Sequence, residues 1–439
     1  MTRYLRGLTI GFASLALVAP VVARAQDTVP YRGIRLTGTY DPTRDKVAIA
    51  VLPVNGAFGD SIRTIVMRDL ERSDRFTLVS IDASDMAALR NTGAAAGLNY
   101  PLFARLNTVA VAEITPVATG LHLALHDVGQ TRVANVWEMP LAGAGLSRDW
   151  RMSVHRASDE IEKLVTGRPG ISASRIAYTR GNAIRIVDSD GAAEITVPTE
   201  EMGTSPAWSP DGTTLVYASY GPGSRIYLMD LATGRSRAII GPTQNVLYLT
   251  PTFSPDGQSI VYARSTGDQS DIYIAPVAQP QAARRLTVAR GIQNTNPIFS
   301  PNGRRVVYQS SASGPLELYI VDADGTGNDK LTDYDFSEKV YRSDPDWSPD
   351  GRLIAYQERV NNDKFQLRTI QVSGSTPKYL TSEGENEQPS WAPDGRHLVF
   401  TSTRTGVRQL WILDVESNTT RQLTKSAGSR LAAWSGRLP

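Results

Sequence analysis

Four histidines are the first side chains to test for chemistry: His122, His126, His155 and His397. His122 and His126 could chelate one metal ion only from a helix. Their stretch, Leu121-His-Leu-Ala-Leu-His126, alternates as a strand does. On a strand the two share a face but sit about 13 Å apart, too far to bind one ion. His155 opens a helix and is expected at the surface or between domains. His397 comes after a turn and is expected to be exposed. The absence of Cys removes disulfides, thiolate metal ligands and Cys nucleophiles. Neither a Gly-x-Ser-x-Gly elbow nor a phosphate-binding Gly-rich loop with Lys and Ser/Thr occurs. Asp188-Ser-Asp-Gly191 and Asp322-Ala-Asp-Gly325 begin like calcium loops but lack the downstream ligands, and read as Asp-Gly hairpin turns. No catalytic residue, metal or cofactor is expected.

One polar set remains, placed each time just ahead of a recurring phrase. The phrase occurs five times: Pro206-Ala-Trp-Ser-Pro-Asp-Gly212, Pro251-Thr-Phe-Ser-Pro-Asp-Gly257, Pro297-Ile-Phe-Ser-Pro-Asn-Gly303, Pro345-Asp-Trp-Ser-Pro-Asp-Gly351 and Pro389-Ser-Trp-Ala-Pro-Asp-Gly395. The period of about 45 residues, filled with short strands, is that of a β-propeller blade. Pro presets the turn, Asp tolerates its next position and Gly closes it. Strands with Tyr or Phe come next (Val216-Tyr217, Val261-Tyr262, Val307-Tyr308, Ala355-Tyr356, Val399-Phe400), then a third strand, then a fourth carrying Leu-Thr. Residues 175–197 supply three strands without a first, and Ala432-Ala-Trp-Ser435 supplies a first strand with nothing after it. Together they complete a sixth blade. The polar set precedes each repeat's proline and is read as connections entering the innermost strands. It comprises Thr204 and Ser205, Thr250, Asn294 to Asn296 with Thr295 between, Arg342 and Asp344, and Asn386, Glu387 and Gln388, with Tyr248 and Tyr341 as aromatic anchors. In a propeller such connections converge on one mouth of the central channel, a place for a partner.

Residues 45–168 lack the repeat and read as a small α/β domain with a mixed sheet. Val47 to Leu52 is a buried strand. Asp60 is expected to cap a helix bearing Ile62, Ile65, Val66 and Leu70. Phe76 to Ile81 reads as a strand, Asp82 to Arg90 as a short helix, and residues 109–114, 121–126 and 133–137 as strands. A last helix is expected over about Ser153–Thr166, stopped by Gly167. The architecture expected is therefore two domains: this α/β domain, then an all-β six-bladed propeller over 171–439, closed by the C-terminal strand. Ahead of them, residues 1–25 carry Arg3 and Arg6, an apolar run from Leu8 to Val22 and Ala23-Arg-Ala25, the pattern of a cleavable secretory signal. Export without disulfides fits a bacterial periplasm. The chain has 46 basic and 44 acidic side chains. Cleavage would remove three Arg, leaving near neutrality and no case for nucleic acid.

The stretch His155-Arg-Ala-Ser158-Asp159-Glu160-Ile161-Glu-Lys163-Leu164-Val-Thr166-Gly167, with Arg175-Ile-Ala-Tyr178 after it, resembles the junction between domains in the TolB family, the periplasmic component of the Tol–Pal system. Val47 to Pro53, Asp69-Leu70 and the closing Ala-Trp-Ser are also similar, and the similarity covers residues 31–437. The resemblance implies a monomeric, non-enzymatic adaptor that does not insert into a membrane. It implies that the peptidoglycan-associated lipoprotein Pal binds at the channel mouth, on the polar set above. It also implies that TolA binds within Gln26 to about Thr39 of an extended N-terminal segment, 26–44, at Gln26, Asp27, Thr28, Val29 and Tyr31. Two other classes share such repeats. A peptidase gating propeller needs a hydrolase domain larger than 45–168. A lyase or sugar-binding propeller needs clustered His or acids at the channel, where His397 is the single propeller histidine.

Overall fold

Val47-Ala-Ile-Ala-Val51 is apolar throughout because the strand it forms, β1 (Val47–Val51), is covered on both faces. The computed structural model describes residues 46–90, 97–220, 223–288, 291–332, 340–360 and 363–438. The leader and the 26–44 segment, with Gln26, Asp27, Thr28, Val29 and Tyr31, lie outside the described residues. After β1 come α1 (Gly59–Arg72), β2 (Phe76–Val79), α2 (Met86–Leu89), α3 (Tyr100–Arg105), β3 (Ala110–Val117), β4 (Gly120–Asp127), β5 (Arg132–Pro140) and α4 (Arg148–Thr166). The sheet order is β2-β1-β3-β4-β5, with β1 parallel to β2 and β3 and the rest antiparallel. Val47, Ile49 and Val51 meet Ile62, Val66 and Leu70 of α1 and Val154, Ala157 and Ile161 of α4. On the opposite face, Ala50 and Val111 pack on Leu89 and Phe103.

Three local expectations need correction, and one element was not expected. Phe58, left-handed at φ 58°, occupies the N-cap position of α1 with no side-chain cap; Asp60 sits inside the first turn, beside the positive end of the helix. Helix α4 starts at Arg148 rather than Ser153, because Ser147 Oγ accepts from the Trp150 amide (3.2 Å) and Trp150 is buried. Residues 82–90 form a 3₁₀ turn, Ala83–Asp85, and the single turn α2. Helix α3 leaves no signal in the sequence: six residues are too few for a period to register. His122 and His126 do lie on a strand, β4. No helix among the described residues is long and apolar enough to cross a membrane.

Residues 175–434 form six four-stranded antiparallel sheets. Numbered from the first complete repeat, the innermost strands of blades 1 to 6 are Met202–Trp208, Leu247–Phe253, Asn294–Phe299, Val340–Trp347, Asn386–Trp391 and Ser429–Trp434. Blade 6 is completed by Arg175–Arg180, Ala183–Asp188 and Ile195–Thr196, with Trp434 opposite Ile176. The six-bladed ring thus closes between the two ends of the repeat region. Each aromatic of the second strands (Tyr178, Tyr217, Tyr262, Tyr308, Tyr356, Phe400) is buried in the cores between blades.

The repeat phrase is turn chemistry, and it also joins neighbours. Gly212 N–H donates to Ser209 O (2.9 Å), and Asp211 accepts from Ser209 Oγ (2.6 Å) and from the Thr213 amide (3.0 Å). Gly257, at φ 70°, lies where a Cβ would reach the Pro210 ring of the preceding blade at 3.5 Å; Gly303 with Pro255 and Gly395 with Pro349 repeat this close approach. The Leu-Thr motif also has a specific use. Thr287, Thr332, Thr381 and Thr424 each accept a third-strand amide, from Ile272, Leu318, Leu367 and Leu410, at 2.9–3.0 Å. The hydroxyl extends the ladder where the short fourth strand ends.

The junction between the domains is one polar face of α4. His155, Ser158, Asp159 and Glu162 keep i, i+3, i+4, i+7 spacing, so they point the same way. Asp69 accepts from His155 Nδ1 and Ser158 Oγ, both 2.7 Å. Asp159 accepts the amides of Ser172 (2.7 Å) and Ala173 (2.9 Å), hooking the linker onto the helix. Glu162 pairs with Arg75 at 2.9 Å. Across the boundary, Arg68 and Arg151 grip Asp190, the turn aspartate between the third and fourth strands of blade 6. His397 is the largest departure from the sequence reading. Expected exposed, it is fully buried, with Nδ1 on Asp394 (2.7 Å) and Nε2 facing Asp74 of the α/β domain (3.4 Å). A turn next to a second domain is not a solvent-exposed turn.

Candidate partner-binding site

The polar set does not lie in connections. It lies in the first halves of the innermost strands of blades 1 to 5, each bulged just before its proline, and the blade 6 strand is bulged in the same place with Ala432 where the others have proline. Ser205, Thr250, Asn296, Asp344, Gln388 and Leu431 occupy the same position in blades 1 to 6, all left-handed, with φ between 45° and 57°. A left-handed residue in six different side-chain types, four of them neither Asn nor Asp, marks an imposed geometry. The bulge lets the strand pass the ring's centre while its side chain is re-aimed. All six side chains are half-buried. The α/β domain meets the blades at the other end, that of the turns from first to second and from third to fourth strands, through Asp190, Arg396 and His397.

Side chains staple this ring from blade to blade. Gln309 Oε1 accepts the Asp344 amide (2.9 Å) while its Nε2 donates to Thr295 Oγ1 (2.8 Å). Gln357 accepts the Gln388 amide (2.8 Å) and donates to Ser343 Oγ (2.9 Å). Gln388 Oε1 in turn accepts the Leu431 amide (3.0 Å). Asn296 Nδ2 donates to the Asp344 carboxylate. Burial, helped by the Glu387 charge and opposed by Asn296, pushes the Asp344 carboxyl up to about 7. Because that pKa is raised, ionising Asp344 costs folding stability as pH climbs from about 4 through 7. Asp344→Asn is therefore expected to melt close to the parent chain at pH 4 and above it at pH 8.5. Identical thermal scans at both pH values would refute the assignment.

The remaining residues of the set divide by burial. Thr204, Tyr248, Asn294 and Asn386 are buried in their blades. Arg342 is held by Glu317 (2.9 Å) of blade 3 and Glu358 (2.8 Å) of its own strand pair, a cross-link between blades 3 and 4. Thr295, Tyr341 and Glu387 are half-buried; Arg359 sits 5.0 Å above the Tyr341 ring, and Arg408 Nε donates to Glu387 at 3.1 Å. Sequence reasoning missed the exposed rim beside them. Met202 and Tyr220 face each other on blade 1, Leu247 opens blade 2, and Arg430 precedes Leu431. The available signal was apolar residues two or more places before the triplets. The rim is apolar on blades 1 and 2 and charged on blade 5.

Two triplets have the residue types of metal sites, Asp69/His155/Asp190 and Asp74/His397/Asp414. Neither suits a cation. Arg68 and Arg151 already neutralise Asp190, and Arg396 neutralises Asp414. Burial opposes a charged His155, but Asp69, Asp190 and Asp188 outweigh it and raise its pKa. Asp394 and Asp74 do the same for His397, against burial, to about 9. Both triplets are hydrogen-bonded clusters of acids and a histidine that tie the two domains together.

Comparison with known proteins agrees with this architecture. Residues 162–438 match the family model described as the TolB beta propeller domain. The chain is 32% identical over 209 residues to the Tol-Pal system protein TolB of Methylococcus capsulatus, covering 44% of this chain and 47% of that one. It is 28% identical over 246 residues to the protein of the same name from Bordetella pertussis, covering 53% and 52%. The chain thus spans about half the length of the curated relatives it matches. The crystal structure of TolB from Acinetobacter baumannii superposes with a TM-score of 0.74 at 25% identity, over 89% of this chain and 97% of that one. With a six-bladed ring closed by its last strand, an α/β domain docked on one end and that family model matched over most of its length, this chain belongs to the TolB β-propeller family.

Proposed function

We propose that this protein is a non-enzymatic periplasmic adaptor of a Tol–Pal system. It engages the peptidoglycan-associated lipoprotein through the channel mouth and TolA through residues 26–44. In that role it helps maintain the outer membrane and its constriction at division. The observation that carries the proposal is the ring of six bulged, half-buried residues, one per blade, at the end of the propeller away from the α/β contacts. A concave, pre-formed ring with an apolar arc and a charged arc suits a protein partner, because it offers anchors and a polar rim without a catalytic set.

Immobilised peptidoglycan-associated lipoprotein from the same organism tests this directly. The mature chain is expected to bind it. Asn296→Ala combined with Glu387→Ala is expected to weaken binding by about tenfold or more, about 1.4 kcal/mol. Deleting residues 26–33 is expected to leave that binding in place and abolish capture by TolA. Full lipoprotein binding by the double variant would remove the mouth from the proposal, and no binding by the parent chain would remove the adaptor role.

A further inference from the structure

On the flank of the propeller, between the outermost strand of blade 1 (Arg235–Ile240) and blade 2, lies a cleft of about 420 Å³. That is within the size range of small-ligand sites. Ile239, Ile240 and Pro280 form apolar walls, and Tyr262 and Tyr273 line it with rings stacked 5.9 Å apart and tilted by 20°. Arg264 leans over Tyr273, its guanidinium carbon 5.5 Å from the ring centre. Tyr248, an expected anchor of the mouth, lines this cleft instead and bonds Thr243 Oγ1 at 2.8 Å.

Arg264 is the unusual member. Arg225 and Arg285 of the same two blades each have an acidic partner, Glu201 (2.6 Å) and Asp271 (2.5 Å). Arg264 has no carboxylate within ion-pair range among the described residues, and its one hydrogen bond there is a long one to Tyr273 Oη (3.4 Å). Its Nε is buried with no hydrogen-bond partner. A buried guanidinium donor left unpaired is costly, and the group that satisfies it best is a planar carboxylate. The cation–π contact with Tyr273 holds the guanidinium at the wall of the cleft. Arg264 is the one charged residue among those lining the cleft, which fits a single negative charge. Apolar walls and stacked rings fit an apolar or aromatic body behind that charge.

We propose that this cleft binds a carboxylate carried on an apolar body, with Arg264 holding the carboxylate and Tyr262 and Tyr273 the body. The free terminus of a peptide ending in an apolar residue and a small aromatic acid share this chemistry. N-acetyl-phenylalanine, its carboxamide and a hexapeptide ending in free phenylalanine distinguish them, titrated calorimetrically into the full mature chain. Saturable binding of the acid is expected, with the carboxamide at least about tenfold weaker. Arg264→Gln, folded as judged by an unchanged thermal melt, is expected to lose the acid by the same factor. Hexapeptide binding equal to the acid assigns the cleft to chain termini; exclusion of the hexapeptide assigns it to small acids. No saturable binding of either acid by the parent chain, or equal binding of acid and carboxamide, overturns the proposal. The acid–carboxamide comparison stands even if the Arg264 variant fails to fold.

Discussion

A chain ending at residue 428 is expected to lose the cooperative fold of its propeller. The deleted strand, Ser429–Trp434, is the innermost strand of blade 6, and its removal strips one edge from Arg175–Arg180. Trp434 packs against Ile171, Ile176, Tyr178, Val399 and Leu410 and donates from Nε1 to Ser174 Oγ at 2.8 Å. Neighbouring contacts go with it: Trp208 Nε1 to Ala433 O (3.0 Å), the Arg175 amide to Ser435 Oγ (2.9 Å) and Arg437 Nε to Gly170 O (2.6 Å). Trp434→Ala alone is expected to cost about 3–5 kcal/mol, from lost burial and the cavity left behind. That is a large part of the roughly 5–15 kcal/mol typical of a domain. The truncated chain also presents an open, apolar sheet edge, so aggregation on size exclusion is the expected readout. A monodisperse truncated chain with an unchanged melting transition would show that the ring does not need its closing strand.

Asp190→Asn is expected to be the most damaging single charge removal at the domain junction. The carboxylate is almost fully buried and faces Arg68, Arg151 (2.8 Å) and, from 3.9 Å, His155. Its loss leaves two buried guanidinium groups, with His155 beside them, one acidic neighbour short, a change of about 3–5 kcal/mol. The expected signature is a single melt splitting into two, as the α/β domain and the propeller uncouple. One unsplit transition at the parent temperature would place the coupling elsewhere. The same junction carries a pH dependence whose sign is set by its shifted groups. His397, raised to about 9, contributes stability that is complete below about pH 6.5 and is lost as pH rises through 9. Burial raises Asp159 to about 6, against the Ala173 and Ser172 amides, and Glu162 to about 8, against Arg75. Ionising either group therefore also destabilises the fold as pH rises. Asp414 acts at the acid end: its pKa, lowered to about 2 by Arg396 and His397 against burial, makes stability fall only below about pH 4. The melting temperature is expected to decline from about pH 4 to 9, and above about pH 6.5 less steeply in His397→Gln. A flat profile over that range would contradict these assignments.

The propeller was legible because its signals are local and repeated. Ser-Pro-Asp-Gly makes its turn from its own four residues, and five copies at one spacing leave little freedom in what lies between. The split blade was legible for the same reason, since Trp434 keeps the period without a strand after it. Helix α3 and the first turn of α4 were not, because short segments carry too few residues to show a face. His397 and Tyr248 differ from expectation for another reason. The sequence around His397 says turn, but whether a turn meets water depends on what else docks there. Tyr248 sits two residues from the mouth position Thr250, which alternation alone would put on the same face, but the left-handed bulge at Thr250 breaks that alternation and leaves Tyr248 on a different surface.

The candidate site shows the same division. By itself the sequence determined the blade count, the order of strands and which positions precede each proline, since these depend on contacts close along the chain. Only the tertiary structure decided that those positions are left-handed bulges in strands rather than loops. Only it decided that Arg342 is bound to Glu317 from another blade, that Asp344 feels Glu387, and that Arg264 has no acidic partner among the described residues. Each of these depends on side chains far apart in sequence, and electrostatic energy depends on distance and burial, which a linear pattern does not contain.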